Sequence, residues 1–190
     1  MMKPICKEFV YQLRYAIPLW LLGLSTDWWP NNRVTLPVRG WLYSHFCKRC
    51  GRNLQLASGV RWLNANNLEI GDNVYLAYDV WVNSIGGVVL GDEVIVSPYV
   101  VIASSNHIRK GRSFRFGGSH SAPIRIGRGS WLGSHVTVTA GVAVGEGSVI
   151  GANSVVTKDI PADTLAVGIP ARPIRSVEDG TGGMLSRSGF

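Results

Sequence analysis

Cysteine is scarce in this chain: three among 190 residues, an odd number that does not make a framework of paired disulfides. Reduced thiols in a cytoplasmic protein fit that usage. Cys47 and Cys50 form a CxxC, with His45 just upstream in "SHFCKRC". A zinc site needs four ligands and no fourth lies nearby, so surface thiols are favoured and no metal is expected. Acidic residues are also few, 12 against 19 lysines and arginines, for a formal charge of +7. That balance favours anionic partners: phosphates, nucleic acid or an acidic membrane face. Nucleic acid fits worst, because no groove-reading helix or recognition motif is evident.

Long apolar runs are missing as well. The N-terminal run Ala16 to Leu24 is far shorter than the roughly 20 residues of a spanning helix. It follows charged residues and lacks a small-residue cleavage site, so a signal peptide is not expected. Pro18 is expected to break or kink a helix there. Trp20, Trp28 and Trp29, with basic residues around them, suit a helix lying in a membrane interface. The alternative is an apolar face that covers the open end of the main domain, and both readings stand.

What the chain has in plenty is a period of six. Ile70, Leu76 and Val82 are six apart, and two residues later the count resumes with Leu90, Val96 and Ile102. It resumes again at Ile126, Leu132, Val138, Val144, Ile150 and Val156. All are Ile, Leu or Val, an outcome with chance odds of about one in ten million. A small or short polar residue follows each time, and four places on comes Val or Ser, as in Val74, Val136 and Ser148. An amphipathic helix repeats near 3.6, so this is no helix. An even period keeps one face of a strand inward, yet one strand of this length would be far too long. A strand that bends every six residues solves both problems. Three faces close a triangular coil of eighteen, small residues turn its corners, and coils stack about 4.8 Å apart.

One stretch, "SSNHIRKGRSFRFGGSHSAPIRIG", interrupts the series. From Leu90 to Ile126 the count is two coils of eighteen, so residues 108–123 are expected to bulge out as a loop without spoiling the phase. His107 stands where that loop departs.

The segment from Gly129 to Arg175, with its WLGSHV unit, VIGANSVVTKDIP coil and VGIPARPIR exit, resembles the hexapeptide-repeat acyltransferases. Within them it is most similar to maltose/galactoside O-acetyltransferases and to O-acetyltransferases of surface-polysaccharide synthesis. The resemblance implies an all-β fold, a left-handed parallel β-helix spanning 54–161. A helical or irregular segment, 1–53, would precede it, and an exit segment and tail, 162–190, would follow. It implies homotrimers with active sites between neighbouring prisms, and acetyl-coenzyme A as donor. His107 matches the family's catalytic base. Ser134, Ala152, Thr157, Lys158, Arg172 and Arg175 match residues that contact coenzyme A, and Trp131 is placed beside the pantetheine arm. Asn83, with Asn106 beside the histidine, is placed near the sugar acceptor.

Imidazole suits removal of a proton from an attacking hydroxyl near neutral pH. Arg109 and Lys110 nearby would disfavour imidazolium and keep such a base free. The expected function is transfer of an acetyl group to a sugar hydroxyl in lipopolysaccharide, capsule or exopolysaccharide synthesis. Transfer to an amine, or a scaffold without catalysis, are the alternatives. His135 is expected at the surface and His120 inside the loop. The protein is expected in the cytoplasm, with peripheral contact at the inner membrane face as one role for the N-terminus.

Overall fold

The computed structural model describes residues 4–177; the remainder of the expected tail, 178–190, lies outside the described residues. The period of six resolves into three parallel sheets. The first face is built from Arg49–Cys50, Leu68–Ile70, Val88–Leu90, Ile124–Ile126 and Ala143–Val144. The second stacks Gln55–Leu56, Tyr75–Leu76, Ile95–Val96, Trp131–Leu132, Val149–Ile150 and Thr164–Gly168, with Ala171–Ser176 returning antiparallel at its end. The third stacks Arg61–Leu63, Trp81–Asn83, Val101–Ala103, Thr137–Val138 and Val155–Val156. The result is the expected parallel β-helix. All twelve aliphatics of the six-residue series are at most 2% exposed, so the series is the core column. Burying each contributes about 1.5–3 kcal/mol. Buried serines in the column are satisfied across layers, Ser130 Oγ by Gly145 O at 2.8 Å and Ser148 Oγ by Pro161 O at 2.7 Å.

Two of the three corners never vary. From the first face to the second, and from the second to the third, successive core residues are always six apart. The corner from third face to first absorbs every irregularity. Trp62 to Ile70 and Val82 to Leu90 each take eight positions, Ile102 to Ile126 takes 24, and Val138 to Val144 takes six. Leu90 and Ile126 are ladder partners, so those 36 residues climb a single layer. The eighteen extra residues are therefore pure excursion. The excursion is itself ordered at its root, where Ser105–His107 pairs antiparallel with Ser119–Ser121. His107 thus lies on the outgoing strand of an arm, opposite Ser119.

The N-terminal segment caps the open end of the first coil. Helix α1 (Pro4–Tyr11) runs through a π turn (Gln12–Ala16) into α2 (Ile17–Thr26), and α3 (Thr35–Ser44) returns. Pro18 does not break the helix. Lacking an N–H, it stands just past the π turn, whose wider winding absorbs the missing bond; Ile17 N–H reaches Gln12 O instead. Leu19, Leu22, Leu42 and Phe46 pack on the prism core. Gly40 permits the closest approach, since a Cβ there would lie 1.9 Å from Leu54 O.

Arg39 locks the cap. Its buried guanidinium donates from Nη1 to Leu56 O (2.6 Å) and Asn31 Oδ1 (2.9 Å), and from Nη2 to Thr26 O (2.9 Å). In the layers above, the corresponding carbonyl accepts from the coil beneath, as Leu76 O does from Ala57 N–H. Leu56 has no coil beneath it, and Arg39 supplies the donor that finishes this edge. Burial pushes the guanidinium pKa down and Asp27 opposes the shift, so it stays charged.

Candidate active site

The variable corner carries a polar column. Tyr11 OH accepts from Asn64 N–H (2.9 Å), and Asn64 Nδ2 donates to Asn83 Oδ1 (3.2 Å). Asn83 Nδ2 in turn approaches Ser105 Oγ at 3.4 Å. The column rises from the cap to the root of the arm. Strand side chains alternate, so Ser105 and His107 share one side of the arm and Asn106 takes the other. His120 is the ladder partner of Asn106 and Ser119 that of His107. The structure therefore groups Asn83, Ser105 and His107, and sets Asn106 with His120 on the opposite side. His107 and the basic run Arg109, Lys110, Arg112 and Arg115 are all exposed.

A second group surrounds the corner between second and third faces. Trp131 is half-buried on the outer side of the second face, its Nε1–H donating to Ser97 Oγ at 2.8 Å. Ser134 lies three residues on, directly beneath Ala152, with Asn153 N–H bonded to Ser134 O at 2.9 Å. Gly133 makes that stacking possible, because a Cβ there would come 2.7 Å from Ala152 N. Ser134 N–H has no protein acceptor among the described residues. His135 turns the corner with φ +60° and stacks outward on Tyr99, centroids 4.9 Å apart.

Arg172 and Arg175 join this group through a defect in the ladder. Three positions apart, they would face opposite ways on a regular strand. A register shift between Leu165 and Ala166 pairs Arg175 with Leu165 and Arg172 with Val167, which brings both to the outer side. Trp131, Val149, Leu165 and Arg175 are consecutive ladder partners, so they form one outward column. Both arginines are exposed, bond only to carbonyls of Ala171 and Ser176, and have no carboxylate partner among the described residues.

Thr157 and Lys158 follow Val155–Val156 and so belong to the corner of the arm, two layers further along. The sequence-derived residues thus split. Asn83, His107, Thr157 and Lys158 lie along one edge of the third face; Trp131, Ser134, Ala152, Arg172 and Arg175 lie along or beside the other. One prism does not bring the histidine to the Ser134 strip. Tyr11, Asn64 and Ser105 were missed by sequence reasoning. No periodic signal marks Asn64: a coil of twenty pairs Asn83 with Leu63, so Asn64 stands one place out of register with the asparagine it bonds.

Outer surfaces differ between faces. The first is charged, with Arg49, Glu69 and Arg125. The second carries Tyr75, Ile95, Trp131, Val149 and Leu165 in register, and the third Arg61, Trp81, Val101, Thr137 and Val155. The CxxC lies where the cap meets the first coil. Both thiols are free; the neighbouring Cys50 and burial push the Cys47 pKa up, and the proximity of Cys47 lowers that of Cys50. No cluster of three or more His, Cys, Asp or Glu gathers among the described residues.

Residues 123–158 match the family model for the bacterial transferase hexapeptide (six repeats). Galactoside O-acetyltransferase of Escherichia coli K12 is 37% identical over 129 residues, which is 68% of this chain and 64% of that protein. The chain thus spans less than two thirds of that relative's length. The putative colanic acid biosynthesis acetyltransferase WcaF of the same organism is 28% identical over 159 residues, covering 84% of this chain and 86% of that one. Among solved structures, a galactoside acetyltransferase in complex with coenzyme A superposes with TM-score 0.77 at 30% identity, over 90% of this chain and 84% of that one.

Proposed function

The chain belongs to the hexapeptide-repeat acyltransferase family, and from that premise we propose that it transfers an acetyl group from acetyl-coenzyme A to a sugar hydroxyl. The observation that carries the proposal is the arm. A regular solenoid leaves its core once, at its variable corner, and the departing strand puts His107 on the same side as Asn83 and Ser105.

In the proposed mechanism neutral His107 accepts the proton of the acceptor hydroxyl as its oxygen attacks the thioester carbonyl, while Asn83 orients the sugar. The unpartnered N–H of Ser134, fixed by the ladder, donates to the oxyanion of the tetrahedral intermediate. The thiolate of coenzyme A leaves and the imidazolium returns a proton to it. Trp131 flanks the pantetheine arm, Ala152 leaves room along the strip, and Arg172 and Arg175 bind the phosphates. Thr157 and Lys158 complete the donor site from the other corner. The two half-sites occupy opposite edges of the third face, so we assign the complete site to a homotrimer. The apolar members of the outer columns of the second and third faces supply its interface. The acceptor is proposed to be a cytoplasmic precursor of a surface glycan, in line with the similarity to the putative colanic acid acetyltransferase.

The test is release of free thiol from acetyl-coenzyme A across a panel of glycan acceptors. Acceptor-stimulated release is expected, and His107→Ala should lower turnover by about 10²–10⁴. Release that no sugar accelerates, or near-normal turnover in the variant, would refute the assignment.

A further inference from the structure

The cap has an outer side that the prism does not use. Ile5, Phe9, Leu13, Ile17, Trp20 and Leu24 are between 42% and 82% exposed, although all are large and apolar. Side chains four apart drift by about 40° at each step on an α-helix. The π turn winds more slowly and cancels part of that drift, so the six fall along one stripe. Tyr11, Leu19 and Leu22 occupy the inner side, against the prism. Trp28 extends the outer stripe and is 77% exposed. No helix among the described residues is long and apolar enough to cross a membrane.

We propose that this stripe is the docking surface for an anionic phospholipid bilayer, with the helix lying along the interface. Its charge selects that occupant. Lys7, Arg14 and Arg33 are exposed without a carboxylate partner among the described residues. Of the two acids nearby, Asp27 is turned to the prism by Arg61 and Gly59 N–H, which leaves Glu8, bonded to the neutral Gln12 amide at 2.6 Å, as one carboxylate against three cations. Anionic headgroups meet complementary charge there. Tryptophan at the rim of an apolar stripe is the composition that headgroup regions favour.

The inference rests on the trimeric acetyltransferase reading and deepens it. Three parallel prisms about one axis present their caps to a single plane, so three weak contacts act together. Tyr11 bonds the foot of the column that leads through Asn64 and Asn83 to the arm. That column spans two layers, about 10 Å. A docked trimer therefore holds its acceptor corners within reach of a glycan whose anchor lies in the bilayer, which makes a lipid-linked sugar the acceptor class.

The test is co-sedimentation of the full-length protein with vesicles of phosphatidylcholine, with and without phosphatidylglycerol. Wild type is expected to pellet with the anionic vesicles at low salt and to be released by high salt. The triple variant Trp20→Gln, Leu24→Gln, Trp28→Gln should partition about tenfold or more weakly. Trp28→Gln alone, outside the helices, should weaken binding in the same direction without touching the fold. Wild type that stays in the supernatant, or variants that pellet equally, overturn the proposal. A lipid-free assembly larger than the trimer that the triple variant dissolves also overturns it, in favour of a second copy. Acceptor-stimulated thiol release with a soluble sugar should persist in the variants. Its absence from wild type, with vesicle binding intact, would sink the catalytic reading and leave the docking surface standing.

Discussion

If each active site combines the arm of one chain with the Ser134 strip of the next, two dead chains should rescue each other. One lesion is His107→Ala on the arm. The other is Ala152→Trp, which fills an exposed position directly above Ser134 where the donor is proposed to lie. Either homotrimer carries the same lesion in all its sites. In a ring of three with both kinds of chain, consecutive pairs take every order, and one pair always joins an intact arm to an intact strip. That holds for either ratio of chains. Mixed trimers purified through two different tags should therefore show about one third of wild-type activity. The assay is free-thiol release per trimer, with each homotrimer as background. Mixed trimers at background would place both half-sites on one chain and refute the split drawn from the two edges of the third face.

Two further predictions concern the cap and the donor. Arg39→Met should strip donors from Leu56 O, Thr26 O and Asn31 Oδ1, and each buried acceptor left unpaired costs about 1–3 kcal/mol. A melting temperature lower by roughly 10 °C is expected, measured by circular dichroism, and an unchanged one would mean that Arg39 does not finish the edge. Arg172→Ala with Arg175→Ala should raise KM for acetyl-coenzyme A several-fold at low salt while kcat changes little, and salt should narrow the gap. A change confined to the acceptor's KM would remove these arginines from the donor site.

The fold was legible because a core column leaves a one-dimensional trace: each inward aliphatic recurs at six, and no side chain elsewhere decides the phase. Family membership was equally legible, since "WLGSHV" and "VGIPARPIR" are local strings. Side and neighbour were not. Arg172 and Arg175 share a side only because one residue is skipped opposite Leu165 and Ala166, a register event without a local signature. The Tyr11–Asn64–Asn83 column joins residues 53 and 19 positions apart, and Asn64 is one place out of register with Asn83, whose ladder partner is Leu63, so no coil length lines them up. His107 was legible as the point where the loop departs, but its partners depend on arm pairing that "HIRKGRSFRF" does not announce. The stripe on the cap was half legible. Its tryptophans were visible, yet only the π turn before Pro18 aligns them with Ile5 and Phe9.

Why the irregularities gather at one corner follows from what each corner must do. The two invariant corners pass directly from one core residue to the next in six positions, and a bulge there would tear ladders on both sides. The third tolerates eight positions twice before it admits 24. Loop closure grows only with the logarithm of length, so going from eight to 24 costs about 1 kcal/mol, which the arm's own antiparallel pairing offsets. The proposed acceptor pocket can therefore be rebuilt at this corner without disturbing the column that supports it. The proposed donor strip sits at a corner that does not vary, beside Gly133, where a single methyl group would press on Ala152. In the proposed mechanism the fixed edge carries Ser134 and the arginines for the donor, and the free edge carries the acceptor residues together with Thr157 and Lys158.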